Sequence, residues 1–295
     1  MAVTRGAQTV NQSDSVSNNY PRPSAPGSPR AIDTVGRLMN MTNAAFGEDP
    51  GRWPLPEASS PEELWLRAVA AGGQGRYASA YADLARVRRA HRVGRLASLA
   101  HSTHASFLRQ LGWHDKARGW DGRALAVAGK DNEGRADALI GLAADALGVG
   151  RFAASAEGLQ RAAGLLDGGS ARLPVRLAWV SAELAMATGD GTAAMAHAER
   201  AVGLAAALGS VRHAVKSDVV LAAALSADGQ LDRSRVVADA ALETTQRLGI
   251  IPLSWALACL MEAIGSVNLS TDQVVQIRDD CADAVRRRGG VLLDR

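Results

Sequence analysis

Glycine recurs in this chain at an interval that few folds accommodate. Gly75, Gly112, Gly150, Gly189, Gly229 and Gly265 are separated by 37, 38, 39, 40 and 36 residues. Helix-forming stretches fill the gaps, and a period of this size is the signature of stacked helical hairpins. A second series, Gly129, Gly168, Gly209 and Gly249, keeps about the same interval and falls where each second helix would end in a left-handed cap. One compact core rarely extends through 295 residues, whereas a repeat array has no such limit. Alanine is abundant while Phe and Tyr number three each. The aromatic and β-branched material of pleated sheets is therefore scarce.

Aligning the chain on the turn glycines tests the period. Seven residues before each turn stand Ala68, Ala105, Ala143, Ala182, Ala222 and Ala258; five after it stand Ala80, Ala117, Ser155, Ala194, Ser234 and Ser270. Twelve after it come Val87, Ala124, Ala162, Ala201, Ala241 and Ile277. Small residues at fixed places on both helices let the two arms of a hairpin approach closely. With the turn sequences Gly75-Arg76-Tyr77, Leu111-Gly112-Trp113-His114 and Gly150-Arg151-Phe152, residues 60–288 resemble the tetratricopeptide repeat (TPR) family. The repeats are longer than the family's usual ~34 residues and lack its proline near the repeat end. The resemblance implies an all-α, right-handed α-solenoid of about six antiparallel hairpins.

Three regions follow. Residues 1–58 read as a flexible N-terminal extension, 59–290 as the solenoid and 291–295 as a tail. Within the extension, residues 1–30 bury too little apolar surface to offset ordering entropy and are expected to be disordered. Residues 31–46 carry Ile32, Val35, Leu38, Met39 and Phe46 at helical spacing, which predicts an amphipathic helix that either docks on the solenoid or is a detachable binding element. The solenoid opens with Ser60 as a cap, Pro61 at the first helical position and Glu63 to complete a capping box. The last hairpin, with Ser270 and Gln273 as a second box and the charges Asp279, Asp280, Asp283 and Arg286 to Arg288, reads as an end cap with a solvated outer face.

Catalytic motifs are missing. The chain has no GxSxG elbow, Walker A loop, HExxH pair or strand-led GxGxxG, so it reads as a non-enzyme without cofactor or metal. His101 and His104, spaced i, i+3, could place two imidazoles on one face for a metal, but no nearby acid completes a site. Cys259 and Cys281 read as apolar fillers. No run approaches the ~18 apolar residues of a membrane span, and the first 30 residues lack the apolar core of a secretory signal. The expected location is the cytoplasm, with no membrane partner.

Two surfaces could bind a partner. Residues 76–135 hold 12 basic and 5 acidic groups, centred on Arg86, Arg88, Arg89, Arg92 and Arg95. This block reads as a solvated helix edge or as a basic docking surface for an acidic segment. Direct nucleic-acid binding is disfavoured because no aromatic residue interleaves these arginines to stack a base. The second surface is the concave groove. Trp65, Trp179 and Trp255 each stand ten residues before their turn glycine, a phase that in TPR proteins tends to face the groove. Ser102, Ile140 and Val219 are their equivalents. The resemblance adds Arg109, Asp137, Arg176, Glu183, Met186, Lys216 and Glu262 to the groove. The expected function is a scaffold or adaptor that binds a partner peptide or helix there, with Trp anchors. The alternative is a ligand- or peptide-responsive sensor, like the sensor halves of some bacterial transcription regulators, acting through a partner protein.

Overall fold

The computed structural model describes residues 29–166 and 170–293. Among these it is all-helical, with α1 (Pro29–Phe46) followed by six antiparallel hairpins that form a right-handed α-solenoid. The hairpins pair α2 (Pro61–Gly73) with α3 (Tyr77–Ala90), α4 (Arg95–Gln110) with α5 (His114–Val127) and α6 (Asn132–Gly148) with α7 (Phe152–Ala163). Next come α8 (Arg172–Ala187) with α9 (Gly191–Leu208), α10 (Val211–Ala227) with α11 (Leu231–Arg247) and α12 (Ile251–Ile264) with α13 (Thr271–Arg287). Each first helix also touches the first helix of the next hairpin, so α2, α4, α6, α8, α10 and α12 form a continuous inner layer. No described helix is long and apolar enough to cross a membrane.

Local chemistry sets the hairpins. In the first five turns the glycine has φ between +74° and +89°, which a Cβ would strain. The amide after it, from Arg76, Trp113, Arg151, Asp190 or Gln230, donates to the carbonyl five residues back at 2.8–2.9 Å. This is the Schellman closure, and the next helix begins one residue later. The small residues at both phases of these hairpins are fully buried, as are the third-phase residues Val87, Ala124, Ala162 and Ala201. The sixth hairpin departs from the expected register. Gly265 has ψ 179°, so its backbone runs on in an extended direction, and α13 starts only at Thr271. Ser270 is consequently an exposed cap rather than a contact residue, forming the reciprocal box with Gln273. Val274 and Cys281 are buried in place of Ser270 and Ile277. Burial pushes the Cys281 thiol up to about 11, so it stays protonated as an apolar filler.

The end of the array is not a free cap. Val285 of α13 belongs to the same core as Leu64, Tyr77 and Leu84 of the first hairpin. Ala78 N donates to Arg288 O at 3.0 Å, and Arg288 Nη1 donates to Gln74 O at 2.7 Å. Residues 291–293 then run along the second hairpin: Trp113 Nε1 donates to Val291 O, and Leu293 N to Leu111 O. The solenoid thus closes on itself. The charges Asp279, Asp280, Asp283, Arg286 and Arg287 are exposed.

Helix α1 packs along α2 and touches α10. Its docking face differs from the expected apolar stripe. Val35, Leu38 and Met39 are exposed, whereas Met41, Ala44 and Ala45 are buried. Two alanines let the helix axes come close, which a stripe of larger side chains would prevent. The linker after α1 is pinned too: Gln74 Nε2 donates to Pro50 O at 3.0 Å and Arg52 O at 2.9 Å, and Val211 N donates to Gly47 O at 3.2 Å. The expected disorder of residues 1–30 lies outside the described residues as far as residue 28, and Gly168 lies outside them as well.

Candidate binding chamber

Closure of the ring turns the concave groove into a chamber of about 420 Å³. Its wall comes mainly from the inner helices, with Phe46 of α1 and His114 of α5 added. Trp65, Trp179 and Trp255, from the first, fourth and sixth hairpins, all line it. Two of the indoles are fixed by the next hairpin: Trp65 Nε1 donates to Thr103 Oγ1 at 3.0 Å, and Trp179 Nε1 to Ser217 Oγ at 2.8 Å. Ile140 and Val219, at the same phase, are buried in the core and do not reach the chamber, which corrects the expectation that this phase lines the groove in every repeat. Size does not decide it, because Ser102, at the same phase and smaller than either, does line the wall although it too is buried.

An aromatic run crosses the chamber. The Phe46 ring lies 5.5 Å from Trp65 and 6.0 Å from His213, and His213 stacks on Trp179 at 5.4 Å. Phe46, itself part of the wall, thereby bridges the first hairpin and the fifth. Burial, followed by the charges of Arg212, Arg172 and Arg176, pushes His213 down to about 3. It is therefore a neutral ring near pH 7, with Nδ1 2.8 Å from Ser210 Oγ.

The expected charged residues divide. Arg109, Asp137, Arg176, Glu183 and Lys216 line the chamber; Met186 packs on the core of the fourth and fifth hairpins, and Glu262 is paired with Arg278 at 2.7 Å outside it. Arg109 bonds Asp121 of α5 and, at 2.9 Å, Asp145 of α6. Burial and the neighbouring Asp145 push Asp121 up to about 7 against the pull of Arg109, and burial raises Asp145 as well. Two buried carboxylates thus share one guanidinium, and burial disfavours the charged form of each. Arg172 and Arg212 also line the chamber, and neither was singled out from the sequence. A signal existed: Arg95, Glu133, Arg172 and Arg212 each stand 17 residues before their turn glycine.

The basic block is less uniform than its sequence. Arg86, Arg89 and Arg92 are exposed, but Arg95 is committed to Glu62 at 2.9 Å and Glu133 at 3.3 Å. Arg88 is half-buried with its guanidinium 4.8 Å from the Trp120 ring, and Arg123 lies 5.2 Å from the same ring. The fold therefore brings an aromatic residue among these arginines, which the linear sequence does not show. His101 and His104 face that indole too, His104 stacked at 3.8 Å. Burial and the Arg88 charge push them down to about 4 and about 3. No group of three His, Cys, Asp or Glu among the described residues could hold a metal.

No family model and no curated protein matches the chain. Among solved structures, Rap protein complexed with Competence and Sporulation Factor aligns with a TM-score of 0.59 over 77% of this chain, at 12% sequence identity. The fold is a TPR-like helical repeat. The TPR-like chain matches 64% of that neighbour's length, and the likeness is one of architecture.

Proposed function

We propose that the chain is a non-enzymatic binding protein that takes a short peptide segment of a partner protein into the chamber. One observation carries this reading: three tryptophans from hairpins far apart in sequence converge on a single 420 Å³ cavity that also holds paired charges. Apolar walls with a few fixed polar groups are the common chemistry of a ligand site of this size. The TPR-like neighbour, which is complexed with Competence and Sporulation Factor, lends support.

A regulatory version of this function is favoured by Phe46, which sits in the chamber wall at the end of a helix that packs on α2. An occupant that displaces this ring would loosen α1 and change what the outer surface offers to a partner protein.

Selection of random tetra- to octapeptides on the full chain tests the proposal. Binders should lose at least tenfold in affinity on Trp179→Ala or Trp255→Ala, with helicity checked by circular dichroism. Binders that ignore both variants and respond instead to Arg86→Glu and Arg92→Glu would move the site to the outer basic face.

A further inference from the structure

Charges in the inner layer are laid out by repeat phase. At 17 and 13 residues before the turn, the third hairpin has Glu133 and Asp137, the fourth Arg172 and Arg176, and the fifth Arg212 and Lys216. The acids of the third hairpin serve the fourth. Arg172 bonds Asp137 through both nitrogens, at 3.1 and 3.2 Å, and Glu133 at 3.2 Å, while Arg176 also meets Asp137. Glu133 is already shared with Arg95. On the other side of the fifth hairpin the corresponding position is Leu248, so no acid arrives from there. Lys216 finds Glu183 at 3.3 Å. Among the described residues Arg212 finds no acid.

Its surroundings make that costly. The guanidinium reaches across the ring to α2, where a Cβ on Gly73 would lie 3.4–3.6 Å from its Cδ, Nε and Cζ. Nη1 is sealed from solvent without an acceptor, although part of the side chain faces the chamber. Arg212 is also the second residue of α10, where the helix dipole opposes a cation. A half-buried charge without a counter-ion is unfavourable, and an apolar side chain of similar length would pack at this place without that penalty.

From this unmatched cation we infer that the occupant of the chamber is anionic, and that Arg212, backed by Arg172 and Arg176, receives its carboxylate. The inference rests on the chamber being the binding site. Burial and neighbouring positive charge lower both Arg212 and Arg176, the latter to about 10, as expected where cations crowd without enough acid. A planar guanidinium with free N–H groups matches a carboxylate in two parallel bonds. The nearby indoles would cover the apolar remainder of a short peptide. The carboxylate could be a peptide C-terminus or an acidic side chain.

Three pools of random acetylated tetrapeptides on the full chain separate these sources: a free C-terminus without acidic residues, an amidated C-terminus with one Glu, and an amidated C-terminus without acidic residues. The wild type should retain one or both acidic pools at least tenfold above the neutral one, and Arg212→Met should lose that preference. The pool retained identifies the source. Without any peptide, Arg212→Met should unfold at a temperature about 2 °C or more above wild type, because the unmatched charge is gone. A lower unfolding temperature would show Arg212 to be structurally paired and overturn the inference. Preferential retention of the neutral pool would overturn it while leaving peptide binding intact. Retention of no pool would count against the peptide-binding reading itself, and with it against this one.

Discussion

Leucine in place of Ala143 tests the packing on which the whole array depends. Ala143 is 1% exposed, and α7 crosses it at Gly158. A Cβ built on Gly158 would lie 3.1 Å from the Ala143 Cβ, so the two helices already meet as closely as alanine against glycine allows. Leucine adds three carbons to a contact with no space for one. Overpacking of this kind costs about 1–3 kcal/mol. At roughly 2–4 °C per kcal/mol for a chain of this size, the unfolding midpoint should fall by about 2–12 °C, followed by circular dichroism at 222 nm. Ala153→Leu supplies the control, since Ala153 is exposed on the same α7 and its change should stay within about 0.5 kcal/mol. Gly158→Ala adds a second arm. Its gain in helix propensity, about 1 kcal/mol, should be cancelled by the close contact, leaving no net stabilisation. An unchanged midpoint in Ala143→Leu, with helicity retained, would show that the repeat register is wrong.

The other predictions concern charge and the N-terminal helix. His101, His104 and His213 are held at about 4, 3 and 3 in the folded chain, below their unfolded value of 6.5, so the unfolded state binds more protons. Stability should therefore fall as pH drops below about 6.5, and urea midpoints at pH 7.5 and 5 will show whether it does. Asp121 acts with the opposite sign. Raised to about 7, it binds more protons folded than unfolded, which costs stability as pH rises from about 4 to 7; Asp121→Asn should remove that component and steepen the acid loss. Deleting residues 1–46 should keep the solenoid helical, lower its midpoint through the lost burial of Met41, Ala44 and Ala45, and speed peptide entry by removing Phe46; stopped-flow tryptophan fluorescence should report the faster entry, and an unaltered rate would dissociate α1 from access. If the basic face steers an acidic partner, reversing the exposed Arg89 and Arg92 to Glu should slow association and flatten its salt dependence without shifting the midpoint.

The hairpins were legible in the sequence because their causes are local. A glycine with positive φ, a Schellman closure and small residues at fixed offsets act within one repeat, and each leaves a trace at a constant spacing. The convergence of Trp65, Trp179 and Trp255 on one cavity could be anticipated for the same reason: a shared phase puts residues on a shared face. The failures of phase are physical too. Ile140 and Val219 are packed into the core at the phase that elsewhere carries the indoles, and four extra residues after Gly265 shift α13 by about one helical turn.

Closure was decided by the tertiary structure. The rotation from one hairpin to the next is small, and only its accumulation over six repeats brings Arg288 to Gln74, 214 residues away in sequence. No local pattern encodes that sum. The same holds for α1, whose buried face is chosen by where two alanines meet α2 rather than by its largest apolar residues. It holds for charge as well. The sequence places cations at the same phase of the fourth and fifth hairpins, but the fold determines that the third hairpin's acids reach Arg172 and Arg176 and leave Arg212 facing the chamber unpaired.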